Sequence, residues 1–95
     1  MKLEFHPDAA EEFGAAVEYY EAAVSGLGNR FLVAVREATD LILANPDIGR
    51  PRGIARRFGV QGFPYDVAYR VRTEVVEVLA IAHHHRRPGY WRARG

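Results

Sequence analysis

Ninety-five residues, 48% hydrophobic and 26% charged, make one domain with one core and room for a shallow site only. The absence of cysteine removes disulfides, thiolate metal ligands and a cysteine nucleophile, and no apolar run reaches the ~18 residues of a spanning helix or resembles a signal peptide, so a cytoplasmic protein is expected. The net charge of +1 hides a division: residues 1–45 hold three basic side chains against eight acids, and residues 46–95 hold ten arginines against four acids, a basic half suited to an anionic partner surface.

Lys2 to His6 alternates polar and apolar residues, the period of a half-buried strand. Pro7 ends it and opens a helix expected over Pro7–Ala23, with Asp8, Glu11 and Glu12 near its positive end and Phe13, Ala16, Val17, Tyr20 and Val24 on its apolar face. Ser25-Gly26-Leu27-Gly28 reads as a breaker. A second helix is expected from Asn29 to Ala44, where Asn45-Pro46 stops it, and the short link implies an antiparallel helical hairpin. Pro46 to Gly53 reads as a loop and Ile54 to Val60 as a short strand bearing Arg56 and Arg57. Tyr65, Val67, Tyr69 and Val71 then alternate with Asp66, Ala68, Arg70 and Arg72, which predicts a strand with one wet face. Val75 to Ala82 is a nearly unbroken apolar run, the mark of a central strand buried on both sides. The order predicts an α+β domain over residues 1–95, with a strand, a helical hairpin and a three-stranded antiparallel return.

Two segments carry side chains suited to chemistry. His83-His84-His85 ends the last strand; alternate strand residues face opposite ways, so the triplet specifies no three-ligand metal site, and no metal or cofactor is expected. A histidine there is either a general acid or base or a polar strand end facing solvent or a partner. Arg86-Arg87-Pro88-Gly89-Tyr90-Trp91-Arg92-Ala93-Arg94 interleaves cations with aromatics, which suits phosphate contacts with base stacking and equally a protein interface. Trp91 also reads as a pin holding the C-terminal segment on the sheet. No phosphate-binding loop, dinucleotide fingerprint, nucleophile elbow or zinc-protease motif is present.

His6-Pro7-x-Ala9, Tyr19-Tyr20-Glu21, Phe31, Asn45-Pro46-x-x-Gly49, Phe63-Pro64-Tyr65-x-Val67-x-Tyr69 and Val78-Leu79-Ala80-Ile81-Ala82-His83, followed by Arg86-x-Pro88-x-Tyr90-Trp91, resemble in order and spacing the RelE/ParE superfamily of bacterial type II toxins. The resemblance spans essentially the whole chain. It implies a toxin held inactive by a cognate antitoxin, in a complex expected to be two plus two. It leaves two targets open: RelE-like members cut messenger RNA on the ribosome, and ParE-like members bind and inhibit DNA gyrase. On the nuclease pattern the catalytic positions fall on Arg57, His84 and Tyr90, but the expected arginine after Tyr65 is Asp66, whose charge opposes that of a scissile phosphate. Asp66 instead suits an ion pair with Arg70 or Arg57. The balance favours the gyrase-binding class, with Arg56, Arg70, Arg86, Arg87, Trp91, Arg92 and Arg94 as the expected contacts to target or antitoxin.

Overall fold

Lys2–Phe5 forms β1, and Pro7 opens α1 (Pro7–Ala23), where its missing N–H leaves no bond unmade. The His6 Nδ1 caps this end, accepting from the Asp8 N–H at 3.1 Å. A three-residue link leads to α2 (Leu27–Ala44), which starts two residues earlier than the pattern predicts. Gly26 adopts φ 88°, a left-handed turn that favours glycine, and Glu21 at the end of α1 accepts from the Gly26 and Gly28 N–H groups. Gly28 is therefore part of α2 and does not break it. A side chain there would meet the Val17 carbonyl at 2.6 Å, so glycine permits the close crossing of the two helices.

The computed structural model describes residues 1–95, and the chain continues through β2 (Arg50–Arg52), β3 (Ala55–Gly59), β4 (Tyr65–Arg72) and β5 (Val75–His83) to a 3-10 turn at Arg92–Arg94. The five strands make one sheet in the order β1-β5-β4-β3-β2. This is the expected α+β class with two corrections. The loop predicted for 46–53 contains β2, paired antiparallel to β3 and shaping a hairpin at the sheet edge. β1 pairs parallel to β5, so the sheet is mixed; the helical hairpin supplies the crossover that a parallel pairing requires.

The helices cover one face. Phe31, Val35 and Ile42 of α2 and Ala9 and Ala16 of α1 pack with Val67, Tyr69, Val76, Val78 and Ile81, joined by a ring cluster of Tyr20, Phe31, Phe63 and Tyr65 at centroid distances of 5.0 to 6.3 Å. Tyr69 is fully buried, its hydroxyl donating to the Pro46 carbonyl at 2.7 Å and accepting from the Gly49 N–H at 3.0 Å. That bond fixes the turn after α2 to the sheet, and any side chain at Gly49 would strike the Tyr69 ring. Much of the family-like pattern thus encodes the core and its turns.

Ala68 faces Ala80 and Tyr69 faces Val78, which leaves Leu79 as an extra residue in β5, a bulge. The bulge reverses the parity of β5, so Val78 and Ile81 both enter the helix-side core while Leu79, Ala80 and Ala82 pack on the other side. That second face is not the wet face expected for β4. The C-terminal segment folds over it and buries Trp91 against Ala55, Ala68, Leu79, Ala80 and Ala82, forming a smaller second core.

Candidate functional site

On the face opposite the helices, the register of β3 with β4 sets Arg57 opposite Ala68 and Gly59 opposite Asp66. The Asp66 side chain, only 8% exposed, accepts Arg57 at 3.0 Å and His84 Nε2 at 3.1 Å, with Arg50 at 3.9 Å. Desolvating a carboxylate is costly, and the partners around Asp66 offset that cost. The Nε of Arg57 is buried without a partner, and the contact that holds this side chain is from its terminal Nη2 to Asp66. Arg70 is engaged elsewhere, with Glu77 at 2.8 Å.

A different carboxylate organises the end of β5. β1 stops at Phe5, opposite Val78, so the backbone of β5 beyond that point has no strand on its outer side. Glu12 of α1 fills the gap: it accepts from the Ile81 N–H at 3.1 Å, from the Tyr90 hydroxyl at 2.9 Å and from Arg94 at 2.8 Å. Arg94 also donates to the Leu79 carbonyl at 3.0 Å. The exposed sheet edge is closed by side chains, which is one way proteins block edge-to-edge pairing. Burial, then the bond to Glu12, pushes the Tyr90 hydroxyl up to about 12. The same Glu12 bond raises Arg94 above its ordinary value. The Arg86 guanidinium lies 3.9 Å over the Tyr90 ring. Tyr90, Tyr65, Tyr19, His83 and Arg86 line a shallow cleft of about 250 Å³ against α1. His83 is lowered from its ordinary value by burial and then by the neighbouring His85 and His84.

Of the three positions matching the nuclease pattern, Arg57 and His84 therefore meet at Asp66, whereas Tyr90 is bonded to Glu12 at the open edge of β5 and packs on the second core. Arg56 donates to the Gly49 carbonyl at 2.8 Å, Arg70 and Arg94 are held in the pairs above, and Trp91 is 2% exposed. Arg86, Arg87 and Arg92 are exposed and have no ion-pair partner. The residue that sequence reasoning missed is Glu12. Its signal was its place between Ala9 and Ala16, at the i+3 and i−4 positions of the buried stripe of α1. No group of three or more His, Cys, Asp or Glu side chains is disposed to hold a metal ion.

A strand, a helical hairpin and an antiparallel return closed by a C-terminal segment define the toxin fold of the RelE/ParE superfamily. Residues 3–88 match the model of the ParE toxin of the type II toxin-antitoxin system parDE, and the chain belongs to that family. It is accordingly the toxin component of such a system, with a cognate antitoxin as its partner. Among solved structures, the chromosomal ParDE TA system from P. aeruginosa is similar in fold, with TM-score 0.68 and 22% identity over 87% of this chain and 95% of that one. No curated protein matches the chain in sequence. No helix is long and apolar enough to cross a membrane.

Proposed function

We propose that this toxin arrests growth by binding and inhibiting DNA gyrase, and that it cuts no RNA. The observation that carries this reading is that His84 and Tyr90 are held by two different carboxylates. A general acid and base must reach one scissile phosphate together, yet His84 is bonded to Asp66 and Tyr90 to Glu12 at the open edge of β5, so each is tied to a different carboxylate. Arg57 and His84 are also occupied already by the Asp66 carboxylate at 3.0 and 3.1 Å, which a phosphate would have to displace. Inhibition by binding needs only shape and charge. The RelE-like reading, a ribosome-dependent cut in messenger RNA, rests on the pairing of Arg57 with His84 and needs Tyr90 to leave Glu12. Purified toxin should inhibit gyrase supercoiling or trap cleaved DNA while leaving message on translating ribosomes intact. Codon-specific cuts in that message would overturn the reading.

Neutralisation by the antitoxin follows from the surfaces left open. An amphipathic antitoxin segment fits the apolar cleft of about 340 Å³ between β1 and α2, lined by Leu3, Phe5, Phe13, Leu32 and Val35. Acidic antitoxin residues would meet Arg86, Arg87 and Arg92, the unpaired cations of the C-terminal segment. Affinity should fall with salt, and Arg86→Glu or Arg87→Glu should weaken it more than Arg30→Glu on α2. Equal effects at all three would remove charge from the account. Assembly as two toxins with two antitoxins is part of this proposal.

A further inference from the structure

The hairpin of β2 and β3 is unused by either carboxylate cluster except at its base. Residues 50–57 read Arg-Pro-Arg-Gly-Ile-Ala-Arg-Arg, four arginines and no acid. The two of β3 brace the ribbon from its two faces: Arg56 holds the Gly49 carbonyl at 2.8 Å and Arg57 holds Asp66 at 3.0 Å. Arg50 lies opposite Arg57 across the ladder, so Arg50 and Arg52 of β2 share the face of Arg57. Arg50 is 77% exposed with only a long contact of 3.9 Å to Asp66, and Arg52 is exposed with no ion-pair partner. Between the strands the turn passes through Gly53 at φ 62° and presents Ile54, 80% exposed, more than any other large apolar side chain of the protein. A single exposed isoleucine is ordinary on a surface. Here it stands at the tip of a two-stranded ribbon whose exposed charges are all positive.

We propose that this hairpin binds duplex DNA directly, with Arg50 and Arg52 on successive phosphates of one strand and Ile54 against the groove. Arg50 and Arg52 lie two residues apart on one strand, hence on one face and about 7 Å from each other, which is the scale of neighbouring phosphates. The guanidinium fork binds phosphate bidentately. A two-stranded ribbon is of a width that B-form grooves admit, and apolar wedges at such positions press into base steps. Bracing by Arg56 and Arg57 means that little ordering remains to be done on binding. The deep, narrow major groove of duplex RNA excludes such a ribbon. This contact belongs to the toxin alone and does not require gyrase to be its target.

The test is fluorescence anisotropy of a labelled B-form duplex with the full-length toxin free of antitoxin, across a salt series and with no gyrase present. Two phosphate contacts predict a slope of log K against log salt of about −2, and the double variant Arg50→Ala, Arg52→Ala should bring it near zero with about a tenfold or greater loss of affinity. Ile54→Ser should weaken binding several-fold and leave the slope unchanged. Arg30→Ala should change neither. All three substituted hairpin side chains are exposed, and circular dichroism checks that the variants remain folded. Absence of salt-dependent binding, an equal loss in Arg30→Ala, equal binding of duplex RNA, or displacement of the DNA by polyglutamate as readily as by unlabelled duplex would each overturn the proposal. Gyrase inhibition is read separately, so either result stands without the other.

Discussion

Asp66 and Glu12 are both carboxylates ringed by donors, and they are built from the chain in opposite ways. Asp66 belongs to the basic half and gathers Arg57, His84 and Arg50 from that same half. Glu12 belongs to the acidic half and reaches across the sequence to Ile81, Tyr90 and Arg94. One compensates charge within a sheet face; the other joins α1, the open edge of β5 and the C-terminal segment. The difference teaches that a count of arginines along the chain overstates the charge left for partners, because Arg56, Arg57, Arg70 and Arg94 are held internally.

The comparison predicts unequal consequences. Asp66→Ala leaves the Arg57 guanidinium, 16% exposed, without its carboxylate, and breaking a buried pair in this way costs about 3–5 kcal/mol. Urea denaturation should show that loss, and a change under about 1 kcal/mol would show the pair to be effectively solvated. Glu12→Ala removes the acceptor for a backbone N–H and two side chains that remain nearby, worth about 1–3 kcal/mol. If it proves costlier than Asp66→Ala, the ranking of the two clusters is wrong.

Tyr90→Phe deletes one hydroxyl and little packing, and should cost about 0.5–1.5 kcal/mol. It also sharpens the comparison through pH. The Tyr90 pKa is raised in the fold, so its contribution is complete below its ordinary value of 10.0 and is lost as pH climbs towards about 12. Tyr90→Phe should remove part of the alkaline loss of stability expected of wild type. An unaltered alkaline limb would mean that neither burial nor the bond to Glu12 holds the hydroxyl in its neutral form.

The smallest effect is expected at His83, whose Nδ1 accepts from the His85 N–H at 3.0 Å and which therefore favours the neutral ring. Its folded pKa lies below the ordinary 6.5, so the stability linked to it is present above that pH and declines as pH falls beneath it. Thermal melts in mildly acid buffer should show a shallower decline for His83→Gln than for wild type. Identical slopes would assign the acid limb to other groups.

Local pattern carried much of the fold. The bounds of α1, Pro7 to Ala23, follow from a proline at the first turn and an apolar stripe, both readable in sequence. The place of Gly28 inside α2 rests on a contact with another helix, the Val17 carbonyl, which no single-segment rule contains. The parallel pairing of β1, the bulge at Leu79 and the covering of β4 by Trp91 are likewise matters of which segments meet. Of the site, the partnership of Asp66 with Arg57 was legible from residue types on one face. The bond of Tyr90 to Glu12 was not, since it depends on where the C-terminal segment meets the sheet edge.

The central claim is that His84 and Tyr90 serve the fold and not a cleavage reaction, and it is tested most directly by growth arrest under induced expression. The double variant His84→Ala, Tyr90→Phe should arrest growth as wild type does at equal soluble level, and the cognate antitoxin should still relieve it. Loss of arrest in a variant that remains folded and bound by antitoxin, with message cut only by wild type, would contradict the account.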